Sequence, residues 1–399
     1  MTSYGDGGVA IANSSISAGV ESDVEIYTYN SGAGISIANS SISAGDGLNF
    51  EAGTDSYNYD GTISLNSSSL DAGGGYLGLY GGSILIGNSS LSANEGMDID
   101  ASQDLKIQSS NLYSGSGYGY IDIYGTNIAI SDTELNTAGD LYFSISGSDG
   151  LGISNSSLEG DDYIDIEMGQ NGGPITIQSS DLFSDGDVDI STNVSTDVGY
   201  LGDLVVQSSN ITSDSLTMEL DGGDSVAIAG NSTLTAQSNM TLTGDAVTVQ
   251  DSVLQSGYGG NGTCGYVEIA GGHVVTVINS KIVAQTVEMH AADVDGSTLT
   301  VNKLNVDTAT SISMAARTIS LSNVNFPTGS SVNLVSSNGL LAPNPNTNAV
   351  PLVNYVNYVT NVQYNSQPAQ NFTYVNGSPG SSGSSSSPTS PIQISSPVR

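Results

Sequence analysis

Cations are nearly missing from this chain: five Lys and Arg stand against 40 Asp and Glu, a formal net charge of -35 at pH 7. Nucleic acids and anionic bilayers draw their affinity from Lys and Arg, so neither partner is expected. Tryptophan is absent, and Cys264 is the one cysteine, which excludes an internal disulfide framework. No apolar run approaches the length of a membrane-spanning helix, so no membrane insertion is expected. Met1 to Gly8 offers neither the charged nor the apolar region of a secretory leader.

What the chain does have is a repeat. Ile35-Ser36-Ile37-Ala38-Asn39-Ser40-Ser41-Ile42 returns as Ile84-Leu85-Ile86-Gly87-Asn88-Ser89-Ser90-Leu91 and as Ile175-Thr176-Ile177-Gln178-Ser179-Ser180-Asp181-Leu182. Anchored on its second apolar residue, it recurs at Ile11, Ile37, Leu65, Ile86, Ile107, Ile130, Ile153, Ile177, Val206, Ile228, Val249, Val277, Val301 and Leu321. That is about fourteen copies at a spacing of roughly 24 residues, a solenoid period. Five residues after the anchor comes another apolar residue, such as Ile42, Leu112, Leu158 or Phe326; only the copy at Ile228 slips, placing Leu234 one residue late. Two residues before the anchor lies a further apolar side chain, and this alternation is that of a strand with one buried face.

A weaker alternating run lies between copies, as in Met97-Asp98-Ile99, Ile121-Asp122-Ile123 and Ile164-Asp165-Ile166. Its middle residue, often acidic, is expected to face water, so each repeat supplies at least two strands. The joints are Gly, Asp, Asn and Ser clusters such as Gly73-Gly74-Gly75, which suit tight turns. No stretch carries a helical period. These features predict an all-β fold, a single-chain parallel β-helix (β-solenoid) of about 14 coils over residues 1–326, each coil pairing with the next. Two residues past the anchor runs a column of short polar side chains, including Asn13, Asn39, Asn88, Asn155, Asn279 and Asn323. Such side chains can bond to the neighbouring coil and to local backbone, so the column is expected to act as a structural corner ladder.

The repeat resembles those of bacterial secreted parallel β-helix proteins of the filamentous-haemagglutinin and autotransporter-passenger type, over roughly residues 9 to 326. The resemblance implies the architecture and an extracellular or cell-surface location. It carries no catalytic or binding motif that transfers residue by residue.

After Phe326 the pattern changes. Residues 327–376, with an alternating stretch from Val350 to Tyr364, are expected to cap the last coil or to add as a strand to another subunit, with Tyr355, Tyr358 and Tyr364 as candidate assembly-interface residues. Residues 377–399 are rich in Ser, Gly and Pro and read as a linker or tail.

Three functions fit this pattern: a self-assembling fibre subunit forming a head-to-tail homopolymer, a glycan- or host-binding adhesin or stalk, and a carbohydrate-active enzyme. Lyase chemistry on acidic sugars needs a base and neutralising cations, and the basic residues are few and scattered. Asp161 and Asp162 could serve a hydrolase, but a chance pair is expected among so many acids, and His273 and His290 lack a nucleophile at catalytic spacing. No catalytic or cofactor-binding residue is therefore assigned. Calcium is the one cofactor to weigh: Asp185-Gly186-Asp187, Asp221-Gly222-Gly223-Asp224 and Asp161-Asp162 supply hard oxygen ligands, though without full calcium-loop spacing. Repetition with no distinguished coil favours the non-enzymatic fibre subunit.

Overall fold

The computed structural model describes the chain apart from residues 4–6, 55–58, 117, 170–172, 193–201, 215–216, 258–264, 293, 328–329, 342–351, 358–371 and 377–399. All described elements are strands, and they pair in parallel as a β-solenoid of about 13 turns. The turns fall into two compact units, residues 1–205 with 209–215 and residues 206–208 with 216–399.

One coil of the first unit shows the plan. An anchor strand, Ile35–Ala38, leads to a corner at Asn39 and Ser40, then a corner strand, Ser41–Ala44, and finally an acidic strand, Leu48–Ala52. Each coil thus has three strands, one more than the minimum read from the sequence. Within the anchor strand Ile35 and Ile37 are buried while Ser36 is exposed, and the same alternation buries Ile42 and Ala44 and then Leu48, Phe50 and Ala52. Side chains of neighbouring coils stack like on like: Ile37 meets Leu65, Leu91 meets Leu112, and Ile99 meets Ile123. Each fully buried Leu or Ile removes enough apolar surface from water to contribute about 1.5–3 kcal/mol. Branched chains suit this pleated, stacked interior because their side-chain rotamers are already restricted.

Acidic and anchor strands fuse into long bent strands in two coils of the first unit, Gly96–Gln108 and Tyr120–Ser131, and in the second unit in strands such as Thr217–Ala229, Asn239–Gln250 and Tyr266–Ile278. The bend is made where the register shifts, between Gly222 and Ser225 and between Gly244 and Ala246. Such bulges turn a strand without breaking its pairing. The late copy at Ile228 is absorbed locally: Gly230 and Asn231 both take left-handed backbone, and Leu234 is buried with the rest of its column.

Thirteen copies carry a corner strand. The copy anchored at Leu321 keeps a left-handed corner at Asn323 and buries Phe326, but its corner strand shrinks to one bridge, Asn305 to Asn325. Pro327 follows directly and has no N–H to give to a ladder. Parallel pairing nevertheless continues past the boundary expected at Phe326. Strand Ser331–Leu341 stacks on Ser311–Ser322, Leu352–Asn357 stacks on Ser331–Leu341, and Phe372–Asn376 stacks on Leu352–Asn357.

Candidate functional site

The corner is the most repetitive feature of the molecule. In all fourteen copies its first residue has left-handed backbone, with φ between 48° and 66°; Ser67, Ser109, Asp132 and Lys303 adopt it as well as the asparagines. Asn reaches this region at low cost because its short side chain can bond locally. The backbone N–H of the residue reaches the next coil, as from Asn39 to the Asn66 carbonyl at 3.0 Å and from Asn155 to the Gln178 carbonyl at 3.0 Å.

The ladder itself lies one residue further on than the sequence reading placed it. Ser40, Ser68, Ser89, Ser110, Thr133, Ser156 and Ser180 are buried; each hydroxyl donates to the carbonyl two residues back, and the six serines also accept an N–H from the coil before. Ser156 Oγ donates to the Ser154 carbonyl at 2.7 Å, bridging its own corner, and accepts the N–H of Thr133 in the coil before at 3.2 Å. The Ser156 N–H in turn reaches Ser180 Oγ at 3.2 Å. The side chains of Asn13, Asn39, Asn88 and Asn155 are instead exposed and bond to no protein group among the described residues. Asn279 and Asn323 do bond across coils, Asn279 Nδ2 to Asp251 and Asn323 Nδ2 to Asn302 Oδ1 at 3.5 Å. These two donations leave the bend itself to backbone conformation. The outward turn of the left-handed residue explains this, because it carries its own side chain away from the axis and delivers the next one inward.

Two substitutions separate these roles. Ser156→Ala is expected to destabilise by about 1–2 kcal/mol, since it orphans the Thr133 N–H inside the wall. Asn155→Ala is expected to cost about 1 kcal/mol through left-handed strain alone, so Asn155→Gly should be nearly neutral. Urea unfolding midpoints of the three variants check the assignment; equal losses for Asn155→Gly and Ser156→Ala would return the ladder to the asparagines.

A second surface is built by the acidic strands of the first unit. Their outward positions stack in columns: Gly78, Asp98, Asp122, Tyr142, Asp165 and Asp189 form one, and Tyr80, Asp100, Tyr124, Ser144 and Glu167 another. Neither column holds a Lys or Arg; Lys106 lies on the anchor part of strand Gly96–Gln108. The tyrosine rings lie along the sheet, not out from it. A Cβ on Gly78 would stand 2.5 Å from the Tyr80 ring, and a Cβ on Gly96 would meet the Tyr120 ring, so the glycines make room for the phenols. Tyr76 and Tyr80 both donate to Asp98, and Tyr124 packs edge-on to Tyr142 at 5.7 Å.

The middle acids are consequently half-buried, a correction to the water-facing position expected from the sequence. Burial, reinforced by the Asp98 carboxylate one coil below, pushes Asp122 up to about 6. Burial, then Asp189 and Glu167, pushes Asp165 up to about 6. Burial above all holds the Tyr76 and Tyr80 phenols protonated, with the carboxylate of Asp98 adding to the effect.

The remaining candidates are scattered. His273 Nδ1 pairs with Asp245 and His290 lies 3.8 Å from Glu268, both pairs partly exposed in the second unit. Among the described residues no group of three or more His, Cys, Asp or Glu is arranged to hold a metal. Tyr355 lies on a strand paired within the chain, opposite Leu334, while Tyr358 and Tyr364 lie outside the described residues. Comparison of the chain with protein-family models, with curated proteins and with solved structures returns no match.

Proposed function

We propose that the protein is a non-enzymatic structural protein of the cell exterior, a subunit that assembles with copies of itself into a fibre. The observation that supports this best is the uniformity of the coils: the same left-handed corner recurs in all fourteen copies, and none is elaborated into a separate site among the described residues. Binding and catalytic centres usually interrupt a repeat with a specialised loop. Parallel stacking is also open-ended. Each coil templates the next through backbone bonds that make no demand on side-chain identity, so a strand of a second copy can add by the same pairing. A head-to-tail contact of this kind propagates as a filament unless its rotation closes a ring.

The charge of -35 acts against such assembly, because every added copy brings the same sign. Filaments of the purified full chain are therefore expected to lengthen between about 10 mM and 0.3 M salt, as the screening length shrinks from about 30 Å to below 8 Å. Negative-stain electron microscopy and sedimentation read this directly. A chain that stays monomeric at every salt and protein concentration is not a fibre subunit.

A further inference from the structure

The corner of the first unit is an open groove as well as a structural bend. Its floor is the buried hydroxyl ladder of Ser40, Ser89 and their counterparts, one wall is the exposed column of left-handed corner residues, Asn interspersed with Ser67, Ser109, Asp132 and Ser179, and the other is formed by the first residues of the corner strands, such as Ser41 and Ser90. The groove continues from Asn13 to Asp181. Three features define what it could hold.

The first is polarity without charge. From Asn13 to Asn111 every lining residue is Asn or Ser; acids enter only at Asp132, Glu134 and Asp181. In a chain with 40 carboxylates and five basic residues, a strip with neither over several consecutive coils is a local exception. Between Asn13 and Asn111 the lining carries no charge to attract a cation, and the field of the whole chain repels a polyanion.

The second is unused hydrogen-bonding capacity. The amides of Asn13, Asn39, Asn88 and Asn155 have no protein partner among the described residues, and each carries both donors and an acceptor. The ladder that stabilises the coil does not employ them.

The third is spacing. Successive coils place equivalent side chains about 4.8 Å apart along the groove. A ligand that exploits such an array is extended and repeats neutral hydrogen-bonding groups on a similar scale, as the hydroxyls of a sugar polymer do.

We propose that this groove binds a neutral, extended polysaccharide, with Asn39, Asn88 and Asn155, two and three coils apart, on one wall and Ser41, Ser90 and Ser157 on the other bonding to sugar hydroxyls along the polymer. The proposal is independent of fibre assembly, since the groove lies within one unit of one chain. Individual exposed bonds are weak, so affinity arises from many of them along the polymer.

Affinity electrophoresis of the full chain in native gels tests this, because the protein migrates as a strong anion. The gels would contain hydroxyethylcellulose, glucomannan, mixed-linkage β-glucan or, for contrast, polygalacturonate. Retardation by at least one of the three neutral polymers is expected, with none by polygalacturonate. The triple variant Asn39→Gly, Asn88→Gly, Asn155→Gly keeps the left-handed corner accessible and removes the amides. It should weaken retardation about tenfold with little change in melting temperature. Ser41→Ala, Ser90→Ala, Ser157→Ala provides a second route that leaves the corner conformation untouched. Retardation by none of the neutral polymers, by polygalacturonate as strongly, or unchanged in both variants overturns the proposal.

Discussion

Leu158→Asp is expected to unfold the coil that carries it and to lower the stability of the first unit by several kcal/mol. Leu158 is fully buried on a corner strand, with Leu135 stacked on one side and Leu182 on the other. A carboxylate there has no donor to meet and either remains charged in an apolar interior or takes up a proton at a large cost. The damage spreads, because a solenoid is held by interfaces between neighbouring coils: one failed coil removes two interfaces. Ile107→Asp, at an equally buried anchor, should behave alike. Leu158→Met keeps the volume apolar and should cost less than about 1.5 kcal/mol, while Glu159→Ala, on the outward side of the same strand, should change little. Urea unfolding followed by circular dichroism separates these cases. Wild-type stability in Leu158→Asp would mean that the column does not face the core.

The inward columns were legible because burial in a strand has a period of two and apolar residues report it directly. Ile35, Ile37 and Ile42 were readable for that reason, and so was the fixed five-residue step across the corner. The hydroxyl ladder was not, since Ser in an apolar wall looks like Ser in a turn. A signal was nonetheless present: three residues past the anchor stand Ser14, Ser40, Ser68, Ser89, Ser110, Thr133, Ser156, Ser180, Ser209, Ser252 and Ser280, a stricter column than the asparagines beside it. It ends at Leu304 and Val324, which are buried at the equivalent place.

The acidic face was hidden for another reason. Connections between coils vary in length, so sequence alone cannot say that Asp98 stands over Asp122 or that Tyr80 stacks on Asp100. That register emerges only when the strands are stacked. The stretch from Val350 to Tyr364 shows the converse. Of that stretch Leu352–Asn357 is a described strand, and it pairs with the chain's own Ser331–Leu341, a choice of partner that alternation does not encode.

The stacked carboxylates predict a molecule that gains stability on mild acidification, opposite to the usual behaviour of proteins whose acids are salt-bridged. Asp122 and Asp165 ionise near pH 6 in the fold, against about 3.9 in an unfolded chain. Between those values the folded state binds more protons than the unfolded one, so stability rises as pH falls through 6 toward 4 and levels off below. Above pH 7 both groups are charged in both states, and the folded state carries the full penalty of burial and of the neighbouring acids Asp98, Asp189 and Glu167. Asp100 and Asp140 are raised in the same direction, mainly by burial. Both main groups are only half-buried, so solvent screening reduces their joint effect to on the order of 2 kcal/mol. The melting temperature should therefore be higher at pH 5 than at pH 8, in dilute samples that avoid precipitation near the pI of about 4.1. Asp122→Asn with Asp165→Asn removes both charges, so the double variant should be the more stable protein at pH 8 and should show a flatter pH profile. A wild-type chain that melts lower at pH 5 than at pH 8, or a double variant with an unchanged slope, would show that the carboxylate columns are solvated and do not strain the wall.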